Sequence, residues 1–443
     1  MTRPIQGAME QIPFDPADPK AALGQLPQSS AVFALYGADA HAEPYVGRTP
    51  TFRARLERLL QPSAKHPRRL QLAGRVRRIE WRLTGSEFES LLFQFALLEK
   101  VHGTKCLERM HLGHPAFVRF LGGNPYPRIT VTHRPSQREA DWAYGPFPSR
   151  GVAERYADEA LKLFLLRRCT FELAPDPSFP GCVYSEMKMC LAPCYKGCTD
   201  ERYAEEAAGV ESFLATRGES GLVVLRAERD QASANLEFEA AAALHAQVQR
   251  VESVRALAPE LVRPLSQLRA VILQASAEPG EIAVFIFEQG RLRGPGSFST
   301  LGMRIQNEQS GSTSLFAQPM AVEAVPEEQG LGARDLGTRD VGTREQGTES
   351  GPGLVPGAGK IGRGMLEARL EGVLEGLAEG GGAPSATVRQ GHLALLKRWY
   401  YRPEARRAGE IFFPDADGRW PVKAILRGAG RVAAKMLTGS GGS

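Results

Sequence analysis

Apolar and polar positions fall into readable patterns near the start of the chain. "AVFALY" (31–36) and "YVG" (45–47), joined by "GADAHAEP", read as the two strands of a hairpin. Thr49 and Pro50 then form an N-cap and first-position pair, which predicts a short basic helix over "TFRARLERLL". "RIEWRL" (78–83) alternates with period two, as a half-buried strand does. Ser86 with Glu89 predicts a capping box, and Phe88, Leu91, Leu92, Phe95 and Leu98 make the apolar stripe of the helix it opens. Residues 28–103 therefore predict a small mixed sheet with helices, and the chain as a whole an α+β fold.

Around this unit the pattern changes by segment. Residues 1–27, rich in Pro and Ala, read as an unordered tail. Residues 104–199 are Pro-rich, Cys-rich and irregular, with one helical stretch, "RGVAERYADEALKLFLL". Residues 200–258 turn strongly helical, with Gly and Ser at 218–221 separating two runs. Residues 259–303 contain a hairpin signal, "IAVFIFEQGRLRGPGSF". Residues 304–364, with the drifting pentads "GARDL", "GTRDV" and "GTREQ", predict a flexible linker. Apolar content returns in 365–443, which reads as a small separate element ending in a "GSGGS" tail.

Composition adds limits. A chain of 443 residues, 42% hydrophobic and 24% charged, is an ordinary globular protein of several domains. No uninterrupted apolar run approaches the ~20 residues that span a membrane, and the N-terminal stretch has no signal-like apolar core. A cytoplasmic setting with reduced thiols is the expectation. The formal net charge is +5, but between Arg48 and Arg82 eleven Lys or Arg stand against two acids, Glu57 and Glu80. Such a run is either a solvated face or a phosphate-facing patch.

The candidate chemistry lies in two places. Cys169, Cys182, Cys190, Cys194 and Cys198 crowd one segment, with Cys106 the sixth cysteine. Their spacing leaves zinc and a [4Fe–4S] cluster equally open, with buried unliganded thiols as a third reading. Tyr36, Tyr45, Arg48 and Arg55 cluster at the first hairpin, where a phosphodiester hydrolase could find a group acting on water and cations for developing charge. His102, His111 and His114 have no spacing that fixes a metal site and read as ordinary side chains.

Together these stretches resemble the UvrC family, the incision component of the bacterial UvrABC excinuclease, over roughly residues 28–258. "AVFALY…YVGRTPTFRARL" is similar to the opening of its GIY-YIG nuclease domain, and "CLAPC" with Cys169 and Cys182 upstream is the most specific match. "NLEFEAAAALHAQVQRV" (235–251) resembles the UVR motif, a helical hairpin. The resemblance implies a [4Fe–4S] cluster at Cys169, Cys182, Cys190 and Cys194, clamping a segment without a core of its own, with Cys198 a spare thiol. It implies duplex DNA as substrate, a UvrB-type helicase partner bound through 222–257, and Mg²⁺ or Mn²⁺ as the metal of cleavage. Tyr45 falls on the tyrosine that acts on the attacking water, and Arg48 and Arg55 on charge-stabilising positions. Phe33 replaces the first-motif tyrosine, and Gln94 stands where the family holds its metal with glutamate, with Glu87 or Glu99 as possible substitutes.

An amide offers Mg²⁺ a weaker ligand than a carboxylate does. Beyond residue 260 no spaced acidic set resembles the family's second nuclease, so a shortened relative with at most one nuclease site is expected. Two functions follow from this reading. One is a damage-directed DNA endonuclease of nucleotide excision repair; the other is a non-catalytic DNA-binding adaptor on the same fold. An iron–sulfur sensor carrying a vestigial nuclease fold is a third.

Overall fold

The structure is a computed structural model that describes residues 9–39, 41–61, 72–301, 303, 363–379 and 382–439. The first unit holds β1 (Glu10–Pro13), α1 (Pro19–Gln25), β2 (Ala31–Gly37), β3 (Tyr45–Thr49), α2 (Phe52–Leu60), β4 (Val76–Leu83) and α3 (Glu87–His102). Its sheet runs β1-β4-β2-β3, and all three neighbouring pairs are antiparallel where a mixed sheet is expected. The expected tail is corrected from Glu10 onward: β1 pairs with β4, and Phe14, Leu23 and Leu26 are buried. Asp18 caps α1 with Pro19 as its first residue, so the Pro and Ala of this stretch belong to a capped helix. The start of α2 is also corrected. Thr49 still pairs with Ala31 in the sheet, so the N-cap falls on Thr51.

The second unit begins with the short α4 (Cys106–Arg109) and continues through β5 (Ala116–Phe120), β6 (Ile129–Thr132), β7 (Ala143–Phe147), α5 (Arg150–Leu161), the short α6 (Val183–Glu186) and α7 (Asp200–Ala215). Two helices, α8 (Glu219–Ala234) and α9 (Phe238–Ala256), follow as a hairpin entered through Gly218 and turned at Leu236, both at positive φ. The chain then returns as β8 (Arg263–Pro264) to complete a sheet ordered β6-β5-β7-β8. Val118, Phe120, Tyr144, Phe147, Tyr156, Tyr203 and Phe213 bury one core between this sheet and the helices. The expectation of a coreless 104–199 is therefore corrected; the irregular part is the cysteine segment alone.

The third unit comprises β9 (Ala270–Ala275), β10 (Glu281–Glu288), β11 (Arg291–Ser299), α10 (Arg363–Ala378), α11 (Ala386–Tyr400), β12 (Glu410–Phe412) and α12 (Val422–Gly439). Gln289 and Gly290, with φ of 52° and 78°, make the tight turn of the predicted hairpin. β12 pairs with β9, so 259–303 and 365–443 form one folded unit and not two pieces. The predicted linker lies outside the described residues as far as 362, and Arg363 and Gly364 open α10. Alternate residues of β9 and β10 go to opposite faces: Val271, Leu273 and Val284 pack with α10 and α12, while Ile272, Phe285 and Phe287 pack with α11.

That second face also receives α3. Phe88, Leu91, Leu92, Phe95 and Leu98 are buried with Phe285, Phe287, Leu393, Leu396 and Trp399. The first sheet has its own core on the other side, where Phe33, Phe52 and Trp81 stack in sequence at centroid distances of 5.6 and 5.7 Å. A Cβ on Gly391 would run into the Phe95 ring, so α11 can approach α3 this closely only with glycine there. α3 is thus shared by two units.

Candidate active site and cysteine segment

β3 lies along α3. Three residues of strand and seven of helix each advance about 10 Å. The two ends of this pairing are therefore matched: Tyr45 comes to Gln94, and Arg48 comes to Glu87.

Tyr45 and Gln94 line a single cleft of about 520 Å³ with Glu43, His102, Arg109 and His111. Glu43 Oε1 stands 3.2 Å from His102 Nδ1, and its other oxygen pairs with Arg109 at 3.3 Å. The imidazole is buried, whereas the Glu43 side chain is 61% exposed and open to the cleft's solvent. Phe33 reaches the site only through its ring, 6.2 Å from that of Tyr45. Gly47 faces Phe33 across the strand pair, and a Cβ there would stand 2.6 Å from Phe33 Cζ. Phe33, Arg48 and Arg55 do not line the cleft, and Arg48 and Arg55 occupy different elements, β3 and α2.

Arg48 instead meets Glu87 at 3.5 Å, and Arg402 holds both oxygens of the same carboxylate at 2.7 and 2.8 Å. The Arg402 hydrogen bonds hold Glu87 below its usual pKa, and burial lowers that of Arg48. Glu87 is thereby committed and does not serve the cleft. The basic run is partly consumed within its own unit as well: Arg53 donates to Leu26 O, Arg78 pairs with Glu80, and Arg82 lies over the Phe93 ring at 4.0 Å. Lys65, Arg68 and Arg69 fall outside the described residues.

Glu43 and Arg109 are the residues that sequence reasoning missed, and His102 and His111 gain a place it did not give them. The signal for Glu43 was slight, an acid two residues before Tyr45 in a predicted turn. Among the described residues, no group of three or more His, Cys, Asp or Glu side chains is arranged to hold a metal ion. A hydrated cation in the cleft would find one carboxylate, Glu43, and one amide oxygen, Gln94. Mg²⁺ is often bound by as little as one or two carboxylates with retained waters.

The cysteine segment runs from the end of α5 to the start of α7. Cys169, Cys194 and Cys182 act electrostatically on Cys190, whereas Asp200, Arg202 and Cys194 act on Cys198. Burial, with those three thiols, pushes the Cys190 thiol up to about 11. Its sulfur accepts the Ala192 N–H at 3.2 Å. Arg167, fully buried, puts Nη1 3.6 Å from Cys169 Sγ, and its other partners are the carbonyls of Tyr126 and Phe171. A guanidinium buried beside sulfur with no carboxylate among these partners suits an anionic group at the thiols. Among the described residues, however, no three of these thiols are arranged to hold a metal ion, so the cysteines share a segment without forming an assembled donor set.

The comparison with family models falls on the second unit and its cysteine segment. Residues 117–213, from β5 to α7, match the model of the UvrC/Cho excinuclease middle domain. UvrABC system protein C of Pseudomonas protegens is 28% identical over 242 residues, which are 54% of this chain and 39% of that protein. UvrABC system protein C of Ruminiclostridium cellulolyticum is 28% identical over 311 residues, 69% of this chain and 50% of that protein. The chain is a relative of the UvrC family. It spans between 39% and 50% of the length of these curated relatives. No solved structure matches, and no helix among the described residues is long and apolar enough to cross a membrane.

Proposed function

We propose that the chain is a UvrC-like protein of nucleotide excision repair that binds duplex DNA with its first unit and cleaves a phosphodiester near damage. The observation that carries the proposal is that Tyr45 and Gln94 open on one cleft with Glu43 and His102. Tyr45 orients the attacking water, and Glu43, steadied by His102 and Arg109, supplies the carboxylate that Gln94 does not. A divalent cation bound there would stabilise charge building on the phosphoryl oxygens. The cysteines, in this reading, carry a [4Fe–4S] cluster that fixes the segment between α5 and α7. The hairpin of α8 and α9, with Leu236 72% and Phe238 67% exposed at its turn, meets a UvrB-type helicase.

One observation favours the adaptor reading, in which DNA is held but not cut. Arg48 is engaged by Glu87 and stands outside the cleft. The deciding experiment is nicking of a lesion-bearing duplex by anaerobically purified protein, with Mg²⁺ or Mn²⁺ and with Tyr45→Phe as control. Nicking by the natural chain that the control abolishes establishes the nuclease. Tight binding without nicking, with roughly 100-fold or greater gain in Gln94→Glu, establishes the adaptor.

A further inference from the structure

The third unit places a second set of charges at the N-terminal end of α3. Arg402 grips Glu87 with two parallel N–H···O bonds of 2.7 and 2.8 Å, and Arg48 approaches the same carboxylate at 3.5 Å. Arg398, exposed on the last turn of α11, also acts on both Glu87 and Arg48. Two guanidinium groups thus meet one carboxylate, and Arg398 adds a third positive charge that is felt by both Arg48 and Glu87. None of the linked side chains is fully buried: Arg48 is 29% exposed, Arg402 28% and Glu87 41%.

The position of these arginines is fixed beforehand. Trp399, between them in sequence, is buried with its ring 5.5 Å from that of Phe88, next to Glu87. Its indole N–H donates to Ala408 O at 2.9 Å, and Tyr401 donates its hydroxyl to Pro146 O at 2.8 Å. A rigid mount lowers the entropy cost of binding an anion. The fork on Glu87 is also the geometry by which arginine holds phosphate. Glu87 therefore occupies, from within the chain, a place shaped for a doubly contacted oxyanion.

We propose that Arg48, Arg398 and Arg402 form a binding site for a backbone phosphodiester of nucleic acid, in which Glu87 is an internal competitor for the arginine fork. The site lies about 10 Å along β3 from the Tyr45 cleft, a few phosphates away on one strand. It joins the first and third units into one DNA-facing surface. The inference rests on the DNA-binding reading given above and adds to it a position and a partner unit.

The test is duplex binding by the full chain, followed by fluorescence anisotropy across a salt series. Each phosphate contact contributes about 0.9 to the slope of log affinity against log salt concentration. Arg398→Ala and Arg402→Ala should each reduce that slope by about one, and Glu87→Gln should raise affinity several-fold. Thermal melting of each variant reports its folding, and Arg402→Lys, which keeps charge without the fork, should weaken binding but retain the slope. A wild-type chain that does not bind duplex sinks the DNA reading together with this site. Wild-type binding with unchanged slopes in the alanine variants sinks this site alone. Displacement of the duplex by inorganic phosphate, but not by sulfate at equal ionic strength, overturns the assignment to nucleic acid.

Discussion

Glu89 and His392 show how single buried groups set the chain's response to pH. Glu89 sits behind the first turn of α3, accepting the Gly85 N–H at 2.8 Å, so the predicted capping box closes on Gly85 and not on Ser86. Burial pushes its carboxyl up to about 7. Between about pH 4.5 and 7 the folded chain keeps a proton that the unfolded chain has lost. Stability therefore falls as pH rises through that window, by about 3 kcal/mol for a shift of this size. His392 acts in the opposite sense. Its Nδ1 accepts the Leu292 N–H at 2.9 Å, and burial holds it down to about 3. The unfolded chain takes up a proton below about pH 6.5 that the folded ring refuses, so stability is lost as pH falls. The two slopes offset one another between about pH 4.5 and 6.5, so denaturant unfolding should show a plateau of stability there in the natural chain, with a fall on either side. In Glu89→Gln the plateau should give way to a steady rise from about pH 4.5 to 6.5; an unchanged profile would rule out Glu89 as its source.

At the scale of the element, the cysteine segment and α3 were legible to different degrees. The crowding of cysteines in this segment was legible in the sequence, and in the fold Cys169, Cys182 and Cys194 act electrostatically on Cys190 while Asp200 and Arg202 act on Cys198. Arg167 could not be read this way, because nothing in "LLRRC" distinguishes the buried arginine from Arg168 beside it. Cys190→Ser should remove most of the iron and acid-labile sulfide from anaerobically purified protein, while Cys198→Ser should retain both. Equal loss in the two variants would contradict the assignment. For α3 the stripe was legible in full, since every residue of it is buried. Its partner was not. The same stripe would serve a helix lying on the first sheet alone.

Over the whole molecule, that shared helix couples two units that are distant in sequence. Phe95 lies in the core between α3 and α11, with its centroid 5.3 Å from that of His392. Phe95→Ala should cost about 3–5 kcal/mol, as large-to-small changes in a packed core do. The effect should reach both sides of the helix: signals from Trp81 in the first unit and Trp399 in the third should fall to the same lower midpoint in thermal unfolding. Two separated transitions would show that the units fold independently. The charges follow the same arrangement, since Arg402 reaches Glu87 across 315 positions of chain.

Strands 31–36 and 78–83, the 282–298 hairpin and the face of α3 were determined by the sequence itself. They rest on periodicity, turn chemistry and capping, all of which act over a few residues. Tertiary structure alone decided that Glu10–Pro13 completes the first sheet, that Glu43 turns into the cleft beside Gln94, and that β12 pairs with β9 while α11 packs on α3. An apolar stripe specifies that a surface will be buried but not against what, because the hydrophobic effect has no direction. An ion pair such as Arg402 with Glu87 leaves no periodic trace in either segment, so only the folded chain shows that the two meet.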